Sequence, residues 1–415
     1  MIDMTVGDDN SGAAYRPLDV EAVVQYMAAC PPLDAAVASE SALEAREVGD
    51  GNLNLVFIVS SKAGSSAVLK QALPYVRLVG ESWPLTTARN TLERRAYAVY
   101  DRIVSDLVPR LYHGDDALAL FIMEDLSRLE IVRRGHVQGR IFPRLAQDIG
   151  RFCAETLLRT SDFYLASAEK KALAGQFINP ELCKITEDLV LTDPFYDAAT
   201  NAYEPELQAA VDALWADENT QRGVARLRYA FMTHAEALVH GDLHTGSVTA
   251  SQDETKVVDP EFGFFGPMGF DIGMFIANLF LSAIGHMAQR APSTHDAFAW
   301  AQLRAARETW TTFSARADAL LTDAPAWRLT AVARREFMRQ LLRDATGFAG
   351  AEMIRRTIGL AHVADLDTIV DSTARARAKT AALVCGRWLI SNHQHVDHFD
   401  QVVALVEQTK CFQVD

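Results

Sequence analysis

Near residue 127 the spacing of apolar residues changes, and that change constrains the fold more than any other feature of the chain. Before it, short apolar and β-branched runs dominate: Leu53 to Ser60, Ala67 to Gln71 and Ala117 to Met123. Gly64-Ser65-Ser66 supplies turn chemistry between the first two, which predicts a hairpin. One amphipathic segment, Leu18 to Ala29, comes earlier, ahead of a Pro31-Pro32 break, and one helical pattern, Ala88 to Val104, interrupts the strands. After it, apolar positions recur at helical spacing, as in Phe142 to Leu158, Tyr203 to Ala216, Gly223 to Leu238 and most of the chain from 270 onward. Two short apolar runs, Ala237 to His240 and Lys256 to Asp259, bracket a polar, glycine-bearing loop. The pattern predicts an α+β chain of two lobes. A small lobe with an antiparallel sheet spans 1–125, and a larger, mostly helical lobe spans 126–415. A polar loop at such a junction implies a ligand cleft between the lobes.

Length and composition agree. A chain of 415 residues, 49% hydrophobic and 23% charged, has enough material for two or three domains or one two-lobed unit, and is no disordered chain. Forty basic against 54 acidic residues leave a net charge of −14. The pairs Arg94-Arg95, Arg133-Arg134 and Arg355-Arg356 are too short to make a basic stripe, so nucleic acid is excluded as a partner. An anionic substrate would need local cations or a metal. Five cysteines (Cys30, Cys153, Cys183, Cys385 and Cys411), odd in number and without a CxxC, read as reduced thiols of a cytoplasmic protein. The first twenty residues lack the pattern of a signal peptide. Ile272 to Gln289 carries no charge over 18 residues, long enough to span a membrane. Asn278, Ser282, His286 and Gln289 within it, and Asp271 at its start, favour a buried core helix and no membrane partner.

Four features carry chemistry. Gly49-Asp-Gly51 opens a strand; such a turn either cradles a phosphate with backbone N–H groups or simply enters a hairpin. Lys70 lies inside an apolar strand, where it needs an anion such as Glu93, unless the strand is an edge and the amine faces water. His240-Gly-Asp-Leu-His-Thr-Gly-Ser247 packs a polar loop between apolar runs, with Asp242 able to orient a hydroxyl or take its proton. Seventeen residues on, Asp259-Pro-Glu261 offers two hard carboxylates at a strand end, suited to Mg²⁺ shared with phosphates or merely solvated. Asn392-His-Gln-His-Val-Asp-His398 crowds three histidines together. Read as one helix, it is a solvated C-terminal helix or, less simply, a structural zinc site.

The order glycine loop, strand lysine, helix glutamate, acidic strand end (Glu124-Asp-Leu126), HGD loop and D-x-E resembles the protein-kinase-like fold in its small-molecule branch, which includes aminoglycoside phosphotransferases and choline kinases. Longer strings resemble the methylthioribose kinase family: Glu47 to Phe57, Lys70 to Arg77, Gly80 to Thr86, His240 to Ser247, Asp259 to Gly273 and Glu352 to Asp367. Ser247 in place of the usual Asn, Asp-Pro-Glu in place of Asp-Phe-Gly, and Asn54 in the first loop are shared with that family. The resemblance covers roughly 45 to 390. It implies ATP and Mg²⁺ as cofactors, 5-methylthioribose as substrate, a homodimer, and a place in methionine salvage. It implies Asp242 as the catalytic residue and Asp259 and Glu261 as metal ligands. ATP would meet Gly49, Gly51, Asn54, Lys70, Glu93, Glu124, Asp125, Leu126, Asp259, Pro260 and Glu261. The sugar would meet Asp242, Trp83 and one of Arg355 and Arg356, since neighbours on a helix point about 100° apart. Trp83 is either a lid over the methylthio group or a loop aromatic anchored in the core. A kinase of another alcohol (choline, homoserine or an aminoglycoside) and a silent nucleotide-binding module are the alternatives.

Overall fold

Lys70 sits in the middle of a sheet, and the strands around it explain why. In the computed structural model the described residues are 15–30, 43–49, 53–62, 64–76, 80–290 and 296–409. They separate into two units, residues 1–128 with 259–262, and residues 129–258 with 263–415.

In the first unit, helix α1 (Val20–Ala29) precedes strands β1 (Leu43–Glu47), β2 (Asn54–Ser61) and β3 (Ser66–Ala72). A separate hairpin of β4 (Tyr75–Val76) and β5 (Gly80–Pro84) leads to helix α2 (Arg89–Val104), then β6 (Leu111–Asp115) and β7 (Leu120–Glu124). The five-stranded sheet is antiparallel throughout, in the order β1-β2-β3-β7-β6. β3 is therefore central, and Lys70 pairs across to Val56 on one side and Phe121 on the other. The edge-strand reading of Lys70 is excluded.

The period of two sorts the side chains to two faces. Phe57, Val59, Ala67, Leu69, Leu120 and Ile122 meet Val23 and Met27 of α1 in one apolar cluster. Gln71, on that same face, ties down the segment before α1. Its Oε1 accepts from Leu18 N at 2.8 Å, and its Nε2 donates to the carbonyls of Arg16 and Leu118. The opposite face carries Lys70 and Phe121, and Tyr97 of α2 meets the Phe121 ring edge-on at 6.1 Å. β7 starts three residues later than the sequence implies, because Ala119 adopts a positive φ of 50° in the preceding turn. The strand at Leu43–Glu47, which the apolar pattern did not single out, pairs along its length with β2.

The second unit is built on the helix Gly269–Ala288, in which every residue but His286 is buried. It is the single described helix long and apolar enough to cross a membrane, and 94% of its most apolar 18 residues are buried. Such burial is that of a core helix. The Ala331–Ile358 helix crosses it closely: a Cβ on Gly273 would stand 2.5 Å from the Ala345 carbonyl oxygen, so only glycine fits. The Phe270 and Phe348 rings pack edge-on beside that crossing at 5.2 Å. Asp296, Thr330 and Asp371 cap the N-termini of three of the long helices by accepting from Ala299, Ala333 and Ala374 backbone N–H groups.

Three-residue ladders frame the polar loops. Ala237–Val239 pairs with Phe264–Gly266, and Val248–Ala250 pairs with Thr255–Val257 and with Glu130–Ile131. Two helical expectations shift. The Gly223–Leu238 pattern becomes a helix over Glu218–Thr233 and a strand, and the Tyr203–Ala216 helix begins only at Gln208 after a 3-10 turn.

The histidine-rich segment is not one helix. The Ser372–Asn392 helix stops at Asn392, His393–His395 makes a 3-10 turn, and a new helix starts at Phe399. His393 is buried, with Nδ1 2.7 Å from the Ile390 carbonyl, so this histidine is a packed core residue and not a solvated one. Cys30, Cys153, Cys183 and Cys385 are free thiols, while Cys411 lies outside the described residues.

Candidate active site

Each unit gathers its own cluster of charged groups. In the first, α2 places Arg89, Glu93 and Tyr97 four residues apart on its buried face. Lys70 Nζ lies 2.7 Å from Glu93 Oε1 and 2.7 Å from Asp259 Oδ1. Burial would lower the Lys70 pKa, but the Asp259, Glu93 and Glu261 carboxylates overrule it and hold the amine charged, well above its usual range. Asp259 has φ +63°, a left-handed conformation that asparagine and aspartate tolerate best. Its backbone N–H donates to Tyr97 Oη at 2.9 Å. Glu261 is pulled the other way: Oε2 accepts from Asn54 Nδ2 at 2.9 Å and lies 3.6 Å from Arg89 Nε. Arg89 is itself tethered through Nη1 to the Thr86 carbonyl.

The other residues expected here are placed by the chain around them. Gly49 is an exposed turn residue at the start of the β2 loop, and Gly51 lies outside the described residues. At the end of β7, Glu124 accepts from Arg110 N and Arg128 Nη2, and Asp125 closes a local turn on Ser127 N at 2.8 Å. Leu126 follows in that turn. Trp83 belongs to β5, with its side chain outside the described residues. Pro260 starts a 3-10 turn and is buried.

The second cluster surrounds Asp242. The loop that carries it is fixed at its entry by Asp271, whose two oxygens accept from His240 N at 2.6 Å and Gly241 N at 3.0 Å. Gly241 has φ +83°, which a glycine takes without strain. His240 Nε2 faces the Val258 carbonyl at 2.9 Å, and Ser247 Oγ donates back to the Asp242 carbonyl at 3.0 Å. The Asp242 carboxylate is shared: Oδ1 accepts from Arg355 Nη2 at 2.9 Å, and Oδ2 lies 3.2 Å from His244 Nε2. Arg356 Nη2 stands 3.8 Å from Oδ1. Burial pushes the Asp242 pKa up, but His244, Arg355 and Arg356 outweigh it and hold it well below the usual carboxylate range.

Adjacent arginines diverge on a helix, yet here both serve one group. Glu352, three and four residues upstream, accepts from Arg355 Nε with Oε2 at 2.5 Å and from Arg356 Nε with Oε1 at 2.8 Å. Against the cost of its burial, the two guanidinium groups bring the Glu352 pKa down to about 2. Asn278 of the core helix donates to Glu352 Oε1 at 2.9 Å and accepts from Arg133 Nη2 at 3.0 Å. Glu352, Asn278, Arg133 and His244 had no assigned role in the sequence. An acid at i−3 and i−4 of an arginine pair, and an Asn inside an uncharged helical run, were the available signals.

Comparison with known proteins finds similarity at the level of family, sequence and solved structure. Residues 44–310 match the phosphotransferase enzyme family. A methylthioribose kinase of Geobacillus sp. (strain WCH70) is 46% identical over 379 residues, covering 88% of this chain and 90% of that one. A methylthioribose kinase of Geobacillus kaustophilus (strain HTA426) is 48% identical over 351 residues, covering 84% and 87%. Among solved structures, choline kinase from Cryptosporidium parvum Iowa II is similar with a TM-score of 0.48 at 10% identity, covering 89% of this chain and 96% of that one.

Proposed function

This chain belongs to the phosphotransferase enzyme family, with its protein-kinase-like fold, and we propose that it transfers the γ-phosphoryl group of ATP to the anomeric hydroxyl of 5-methylthioribose. The products are 5-methylthioribose 1-phosphate and ADP, which makes the reaction a step of methionine salvage. The observation that carries the reading is the 46–48% identity to methylthioribose kinases over more than four-fifths of the chain.

Phosphoryl transfer needs placement and charge neutralisation more than covalent help. The first unit serves the nucleotide. Lys70, kept charged among carboxylates, pairs with phosphate oxygens, and Glu93 holds its amine in place. Asn54 and the turn at Gly49 cover the phosphates, and the backbone around Glu124, Asp125 and Leu126 receives the base. Mg²⁺ suits the donors present. The Asp259 side chain is 49% exposed and offers hard oxygen, while Glu261 is 10% exposed and already faces Asn54 and Arg89. Asp259 would hold the ion, with Glu261 beside it, and phosphates would complete the shell as Mg²⁺ requires. Bound there, the ion supplies charge neutralisation to the phosphates.

The second unit serves the acceptor. Asp242 orients the sugar hydroxyl and takes its proton as the new O–P bond forms and the bond to ADP breaks. Its depressed pKa makes it a weak base in the resting site, suited to a late proton transfer. Arg355 reaches Asp242 directly, and Arg356 lies just behind it; both present guanidinium groups to sugar oxygens or to the phosphoryl group. A cytoplasmic homodimer, suggested by the free thiols and by the family resemblance, completes the proposal.

An ADP-coupled assay with Mg-ATP and 5-methylthioribose, beside ribose, choline and homoserine, tests it. The expected result is turnover with methylthioribose alone, lost in Asp242→Ala. Turnover with another alcohol and not with methylthioribose overturns the substrate assignment and keeps the reaction.

A further inference from the structure

His244 touches Asp242, yet the reaction as proposed gives it nothing to do. Its ring is nearly buried, with 13% of the side chain exposed. Nδ1 lies 3.0 Å from both Gly246 N and Ser247 N. Backbone N–H groups only donate, so Nδ1 presents its lone pair and the ring proton sits on Nε2. That Nε2–H faces Asp242 Oδ2 at 3.2 Å. The loop closes tightly on the ring: a Cβ on Gly246 would stand 2.8 Å from His244 Cε1 and 2.9 Å from Arg133 Nη1.

We propose that His244 is a positioning residue, a neutral imidazole that donates Nε2–H to Asp242 Oδ2 and fixes the carboxylate for the incoming hydroxyl. The inference rests on the reading of Asp242 as the proton acceptor. Arg355 holds the other oxygen, so the carboxylate is pinned at both ends, one donor from the loop and one from the Ala331–Ile358 helix. The proton taken from the sugar hydroxyl stays on Asp242 until product leaves. His244 neither gains nor loses one, because Nε2 already carries hydrogen and Nδ1 accepts from Gly246 N–H and shares Ser247 N–H with the His244 carbonyl.

The charges around the pair favour this state. Asp242 is faced by Arg355 and Arg356, with Glu352 behind them and Asp271 of the core helix near the same loop. His244 is faced by Arg133 and Arg356 as well as by Asp242. Burial first, and then the two arginines, bring the His244 pKa down to about 4, so the ring is neutral at working pH.

His244→Asn separates the two ends of the ring. A short amide oxygen still accepts from backbone N–H groups two and three residues on, so the loop keeps its shape. The side chain is too short to reach Asp242. The expected result is an unchanged melting temperature, an unchanged KM for the sugar, and a kcat lower by about 10- to 100-fold, the scale of one hydrogen bond to a charged group. The acid limb of kcat/KM moves to higher pH, because Asp242 has lost a donor to its charged form. An unchanged kcat and acid limb overturn the proposal.

A second measurement does not depend on turnover or on the variant folding. Nitrogen-15 spectra of histidine-labelled wild-type enzyme read the His244 ring directly, assigned with Asp242→Asn, which perturbs Nε2. A neutral ring with pyridine-like Nδ1 and pyrrole-like Nε2 from pH 5 to 8 is expected; titration in that range, or the opposite tautomer, overturns the proposal. Failure of the wild type to phosphorylate methylthioribose sinks the substrate assignment instead, and leaves the spectra to decide the role of His244.

Discussion

Asp242 carries its charge under two opposing influences, and with Asp242 as the proposed proton acceptor the outcome sets how activity responds to acid. Burial alone would raise its pKa; His244, Arg355 and Arg356 reverse that. A carboxylate whose pKa is depressed stays ionised until the pH falls through the depressed value. The acid limb of kcat/KM for the wild type is therefore expected below the ordinary range for aspartate, with a flat profile above it. A limb at pH 5–6 in a pH–rate series would contradict the shared-carboxylate geometry. Asp242 and Lys70 were legible from sequence for local reasons: one stands in a polar loop between apolar runs, the other interrupts an apolar strand. Glu93 was legible too, as the anion Lys70 needs, but most of the groups packed around the arginine pair were not. Glu352, Asn278 and Arg133 lie on three different helices, and only tertiary packing links them in a chain that ends on Arg355. Asn278 looked like a polar interruption in a core helix; the structure makes it the bridge between Glu352 and Arg133.

At the scale of elements, the Ala331–Ile358 helix answers to two constraints. The first is the Glu352 pair of ion contacts. Glu352→Ala leaves Arg355 and Arg356 buried with one anion fewer, and should cost about 3–5 kcal/mol in urea unfolding together with most of the activity. The pH dependence follows from the sign of its shift. The folded pKa of about 2 lies below the ordinary value of 4.5, so the stabilisation is full above pH 4.5 and drains away as pH falls toward 2. The second constraint is the crossing at Gly273. Gly273→Val should destabilise by about 1–3 kcal/mol or more, because the Ala345 carbonyl leaves no room for a side chain. Denaturant midpoints at constant m-value check this. Helix and strand types were readable along most of the chain, since periods of 3.6 and 2 reflect burial on one face. Boundaries were less readable. Ala119 delays β7 through its backbone conformation, and the turn at His393 ends a helix where the apolar pattern alone would continue it.

For the whole molecule, the net charge of −14 sits oddly with a polyanionic substrate. The cations proposed to meet it are local: Lys70 and Arg89 are buried among the carboxylates of one unit, and Arg355 and Arg356 are buried in the other with Arg133 half-buried beside Asn278. Mg-ATP at about a hundredfold over its Kd should raise stability by about 2.7 kcal/mol, read as a shift in melting temperature. Lys70→Ala should abolish that shift, and chelation of Mg²⁺ should reduce it; an unaltered shift in the variant would remove Lys70 from the nucleotide site. The change of apolar spacing near residue 127 marks where the first stretch of chain ends. It could not reveal the return of four residues, 259–262, to the first unit. No local pattern records that a short turn downstream packs on a helix 160 residues earlier, as Asp259 N does on Tyr97.

That return has an architectural cost for anyone, or any genome, treating the halves as cassettes. A gene fragment ending at residue 128 encodes the strands and both long helices of the first unit but omits Asp259 and Glu261, and so leaves Lys70 with a single carboxylate. The complementary fragment carries an orphan tetrapeptide whose packing partners are gone. Modular recombination at the obvious junction thus breaks an ion-pair cluster, whereas an insertion in a surface loop does not. The two units are expected to have been inherited as one indivisible reading frame.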